Sequence, residues 1–94
     1  MKSVNPKSKD LNALYEAILK LESADECKKF FRDLCTIDEL KSMSERFAVV
    51  RMLEQGIPYR KISTKTGAST ATVTRVAHWL HHGKGGYRLM LERL

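Results

Sequence analysis

Residues 67–75 read GASTATVTR, within the longer stretch IPYRKISTKTGASTATVTRVAHWLHHG at 57–83. Thr is a mediocre helix former, yet three of these nine residues are Thr at the point where a helix should begin. Pro58 suits the first turn of a helix, where its missing N–H costs nothing. A short helix is expected from Tyr59 to about Thr66. Gly67 then supplies the positive φ that a tight turn demands. Ser69 is placed to cap a second helix running from about Thr70 to His82. At 100° per residue, Val73, Val76, Ala77 and Leu80 fall on one face of that helix, and Ala71, Thr74, Arg75, His78 and His82 on the other. Ile62 and Ala68 complete the apolar contacts that hold two short helices at a fixed angle, so residues 59–82 are predicted to form a helix-turn-helix.

The outward face of the second helix is small and polar at its N-terminal end. A helix that enters the DNA major groove needs small residues where it approaches the base edges. Thr brings a hydroxyl and a methyl, and Arg can pair with guanine or with phosphate. The helix N-terminus attracts phosphate as well. Charge points the same way. The net charge is +6. Residues 1–35 carry seven Lys/Arg against six Asp/Glu, and residues 36–56 carry three against four. Residues 57–94 carry seven against Glu92 alone. The positive excess is therefore concentrated in the segment with the helix-turn-helix, as expected for a polyanion-binding surface. The competing readings are a solvated basic face and a protein-interaction module that meets an acidic partner.

The remainder of the chain is also patterned for helices. Leu11, Leu14, Tyr15, Ile18 and Leu19 recur at helical spacing. Ser23 with Glu26 and Thr36 with Glu39 form two capping boxes. Between them a second helix presents Ala24, Cys27, Phe30, Phe31 and Leu34. A third carries Leu40, Met43, Phe47, Val50 and Leu53 and ends at Gly56. HGKGG breaks the pattern before a last amphipathic segment with Tyr87, Leu89, Met90 and Leu94. Ninety-four residues suit one all-α domain over 1–94, with residues 1–9 and the GKGG joint as its mobile parts. The wide apolar faces of the first two helices exceed what a monomer this small hides, so a homodimer is expected. No apolar run is long enough to span a bilayer and the N-terminus has no hydrophobic signal region, which predicts a cytoplasmic protein without membrane contact.

Cys27 and Cys35 are eight residues apart, about two turns of a helix and too far to bridge. Both are expected as small buried hydrophobes. No Cys/His or Ser/His/Asp arrangement suggests an enzyme, and GKGG lacks the Lys-Ser/Thr of a P-loop. His78 and His82 are spaced i, i+4, but without an acidic or Cys partner they predict phosphate contact or exposure, not a metal site. No cofactor is expected.

YRKISTKTGASTATVTRVAHWLHHG, together with LCTIDELKSMSERFAVVRMLEQG upstream, resembles the Trp repressor superfamily, and within it the YerC/YecD group of Trp-repressor-like proteins. The likeness covers about residues 11–94. It implies a six-helix, intertwined homodimer that binds double-stranded DNA as a transcription regulator, with repression the expected sense. The family's DNA-reading positions fall on Tyr59, Arg60, Ser63, Ser69, Thr70, Ala71, Thr72 and Thr74, and the local charge adds Lys61, Lys65, Arg75 and His78. In the Trp repressor two arginines sandwich the corepressor; they match Arg46 and Arg75, and two pocket threonines match Thr36 and Thr72. The glycine after the second arginine is Val76 here, and a serine that helps bind the corepressor is Trp79. Val76 removes the space a ligand needs, and the Trp79 indole is large enough to fill the pocket between the arginines. The pocket is expected to be vestigial and free tryptophan not to be the effector; another small-molecule effector is the alternative.

Overall fold

A computed structural model of the chain describes residues 8–94. It contains six α-helices: α1 Ser8–Ile18, α2 Ala24–Leu34, α3 Ile37–Glu54, α4 Tyr59–Thr66, α5 Thr70–His82 and α6 Gly86–Arg93. No strand occurs among the described residues. The all-α, six-helix reading thus holds. Of the segment expected to be mobile, residues 1–7 lie outside the described residues, and Ser8 and Lys9 form the first turn of α1.

Two compact units divide the chain, residues 1–36 and 37–94. In the first, the Ser23 hydroxyl caps α2 by accepting the Glu26 N–H at 3.1 Å. The Glu26 carboxylate returns one residue further than a capping box requires, accepting the Glu22 N–H at 2.8 Å. Phe30 and Phe31 meet edge to face with ring centres 5.6 Å apart. Neither α1 nor α2 contains a buried residue. The cysteines are half-buried free thiols rather than core residues, because this two-helix unit has no interior deep enough to enclose them.

The second unit has a core. Val49, Val50, Ile62, Ala68, Val73, Val76 and Leu80 are buried together, and Phe47, Met52, Leu53, Ile57, Tyr87 and Leu91 pack around them. Each fully buried aliphatic side chain contributes about 1.5–3 kcal/mol of apolar transfer. The α3 stripe is displaced from the expected one. Val49 joins Val50 in the core, whereas Met43 is exposed, since α4 and α5 pack on the C-terminal half of α3. At the end of α3 the Ile57 N–H bonds the Met52 carbonyl and the Gly56 N–H bonds the Leu53 carbonyl, with Gly56 at φ 77°. This is a Schellman motif, which stops α3 and turns Ile57 inward.

Helix α6 keeps only Tyr87 of its expected apolar residues inward and adds Leu91. Tyr87 and Leu91 pack on the core, and Leu89, Met90 and Leu94 are exposed. Arg88 orients it: one guanidinium nitrogen lies 3.2 Å from the Glu54 carboxylate of α3, and the other 3.4 Å from Nδ1 of His81 on α5.

Candidate nucleic-acid interface

Helices α4 and α5 are joined through Gly67, at φ 82°, and Ala68. Ala68 is buried, so its peptide groups need partners within the protein. Side chains of α4 provide them. The Ser63 hydroxyl donates to the Ala68 carbonyl at 2.6 Å. The Thr66 hydroxyl accepts the Ala68 N–H at 3.1 Å and donates to the Ile62 carbonyl at 2.8 Å. A Thr at position 66, where an apolar residue would be commoner, is thus explained by hydrogen bonding. Ser69 then caps α5, accepting the Thr72 N–H at 3.1 Å, with its hydroxyl also 3.1 Å from that of Thr72.

The two faces of α5 divide as its sequence predicts. Val73, Val76, Ala77 and Leu80 are buried. Ala71, Thr74, Arg75, His78 and His82 are exposed. Tyr59, Arg60, Lys61 and Lys65 of α4 are also exposed, as are Ser69 and Thr70 at the start of α5. Ser63 and Thr72 are half-buried. The Thr74 hydroxyl donates to the Thr70 carbonyl at 2.9 Å, which leaves its oxygen able to accept a further hydrogen bond, and the residue is exposed. The result is a surface of small side chains and cations around an open helix N-terminus. The ring centres of His78 and His82 are 5.0 Å apart; among the described residues no three His, Cys, Asp or Glu side chains are grouped to hold a metal.

Behind that surface lies an open cleft of about 350 Å³, lined by Ser42, Glu45 and Arg46 of α3, by Thr72, Arg75, Val76 and Trp79 of α5, and by Tyr87 of α6. Five of the six residues expected in a corepressor pocket line this one cleft. Thr36 belongs to the first unit, immediately before α3. Val76 is 3% exposed and part of the core. Trp79 departs from the expected plug. The residue is 54% exposed, and its indole meets His78 edge to face at 5.5 Å and borders the cleft without filling it. Gly83 accommodates this position: a Cβ there would lie 3.3 Å from Cε3 of the ring and 2.4 Å from the Trp79 carbonyl oxygen. Ser42, Glu45 and Tyr87 were missed by sequence reading. Ser42 lies four residues before Arg46 and so on the same helix face, a signal that was available. Tyr87 has no local signal.

The Trp repressor protein family model matches residues 9–94. The chain belongs to the Trp repressor family. That family comprises non-enzymatic DNA-binding regulators. The YerC protein of Bacillus subtilis (strain 168) is 47% identical over 88 residues, spanning 94% of this chain and 85% of the relative. A solved TrpR-like protein from Eubacterium eligens ATCC 27750 superposes with a TM-score of 0.88 at 46% identity, covering 93% of this chain and 90% of that one. A second solved structure, from Staphylococcus aureus, gives 0.87 at 41% identity, with 97% and 94% covered. No described helix is long and apolar enough to cross a membrane.

Proposed function

We propose that the protein is a sequence-specific transcription regulator of the Trp repressor family. On this reading it binds double-stranded DNA in the cytoplasm as a homodimer and uses α5 as its reading helix, with residues 1–94 acting as one functional domain. The observation that carries the reading is the outward face of the helix-turn-helix: small hydroxyl side chains and Arg75 exposed beside a capped but sterically open helix N-terminus, in the most basic part of the chain. Two such helices related by a two-fold axis would meet successive major grooves about 34 Å apart and select a palindromic site. The exposed apolar side chains of α1 and α2 support the dimer. Repression is the sense we favour.

Free tryptophan is not the effector on this reading. Val76 occupies the space beside Arg75 and is locked into the core, and Trp79 puts an indole where a short hydroxyl would serve a ligand. The open volume of the cleft favours a second form of the same reading, in which a different small molecule binds there.

Selection of bound fragments from random DNA is the direct test of specificity. A palindromic consensus is expected from the wild type. Thr74→Ala should change the selected sequence. Lys61→Ala should weaken all DNA alike and lower the salt-dependence slope by about one. If both variants bind the selected site as the wild type does, α4 and α5 do not form the interface. In calorimetry, L-tryptophan should show no saturable binding at micromolar concentration.

A further inference from the structure

In the turn between α4 and α5 the N–H and the C=O of one buried residue, Ala68, are both held by side chains of the preceding helix. A carbonyl can only accept, so the Ser63 and Thr66 hydroxyls must donate to Ala68 and Ile62 respectively. Thr66 still offers a lone pair, and it receives the Ala68 N–H. Only Gly67 and Ala68 separate the end of α4 from Ser69, the cap of α5. Fixing the Ala68 backbone therefore fixes the direction in which α5 leaves the turn. None of these three hydrogen bonds involves the cleft, whose α5 contributors are Thr72, Arg75, Val76 and Trp79.

We propose that Ser63 and Thr66 are positioning residues for DNA recognition. Their hydroxyls latch α5 in its DNA-reading orientation, so the orientation needs no small molecule in the cleft and binding is constitutive. The proposal rests on the DNA-binding function inferred above. It also gives Ser63 a role different from direct contact with DNA.

Thr66→Val tests this sharply, because it keeps the side-chain shape and removes both hydrogen bonds. If position 66 mattered only through apolar packing, valine there would be neutral or stabilising. Binding is measured with exhaustively dialysed protein, well below each variant's unfolding midpoint. The probes are a DNA site selected with the wild type and an unrelated duplex of equal length at the same salt. The wild type should bind its site without additives. Thr66→Val should lose about tenfold in affinity for that site and change by less than about twofold on unrelated DNA. Thr66→Ser, which retains the hydroxyl, should recover binding to within about twofold of the wild type, and Ser63→Ala should fall between the two. Amide exchange at Ala68 should accelerate in Thr66→Val while that at Val50 does not.

The latch is overturned if Thr66→Val binds the selected site like the wild type, if it loses both DNAs equally, or if the wild type needs an added ligand. Failure of the wild type to select any DNA overturns the functional reading itself. That result is distinct from failure of the latch, in which a site is selected and the valine variant still binds it.

Discussion

The two compact units use similar sequence patterns and reach different ends. Residues 37–94 convert their apolar stripes into a core with four side chains at zero exposure, Val49, Val50, Ile62 and Val73. Residues 8–36 have stripes at the same helical spacing and bury none of their side chains fully. Leu19 is 82% exposed, and Leu11, Tyr15 and Leu34 are exposed too. Periodicity specifies a helix and the face it will bury; it does not specify that a covering surface exists in the same chain. Three packed helices enclose a volume, whereas two short ones do not. The first unit is therefore the part whose stability should depend on a second chain.

The largest effect expected from a single truncation is in the second unit. Ile62→Ala removes a fully buried side chain at the centre of the α3–α4–α5 packing and should cost about 2–5 kcal/mol, measured by urea unfolding at fixed protein concentration. A loss below about 1 kcal/mol would mean that this core is not the stable part of the molecule.

Leu19→Glu probes the first unit. At a position exposed as Leu19 is in a single chain, such a change is worth within about 0.5 kcal/mol. If two chains cover this surface, a buried charge results, and the variant should shift sedimentation toward the 10.8 kDa monomer at micromolar concentration. Unchanged association would remove Leu19, just after the end of α1, from the dimer interface. A wild type that is itself monomeric at that concentration would remove the dimer.

The smallest effect should come from Asp25→Ala, which breaks the pair with Lys29 at 3.7 Å. Both side chains are largely solvated, and exposed helix pairs of this spacing contribute about 0.3–0.5 kcal/mol. A loss above about 1.5 kcal/mol, beyond what the pair and an acidic residue in the first turn of α2 together contribute, would show that α2 is more enclosed in solution than the isolated unit suggests.

Much of the reading region was legible in the sequence because its information is local. Gly67 had to take a positive φ, Ser69 had to cap, and the 100° wheel sorted Val73, Val76, Ala77 and Leu80 from Thr74, Arg75 and His78. What could not be read depends on pairs distant in sequence or on unusual hydrogen bonds. Arg88 reaches Glu54 across 34 positions, and nothing near either residue announces it. Leu91 was overlooked beside its exposed neighbours because α6 is too short for its period to choose a face. Thr66 looked like a departure from the helix-turn-helix pattern, since a pattern of apolar positions has no term for a hydroxyl that satisfies a buried peptide. Trp79 could be matched to the cleft from sequence, but not the side of the rim on which its ring rests, where Gly83 leaves room beside it.

That position of Trp79 has an optical consequence. It is the sole tryptophan of the chain, and its half-solvated ring stands between a histidine and an open cleft. Its emission should resemble that of indole in water, with a blue shift when a solute displaces water from the cleft. The molecule thus carries its own label: a library of metabolites can be screened against the unmodified protein by its emission, and a compound that shifts the spectrum becomes a candidate for the cleft.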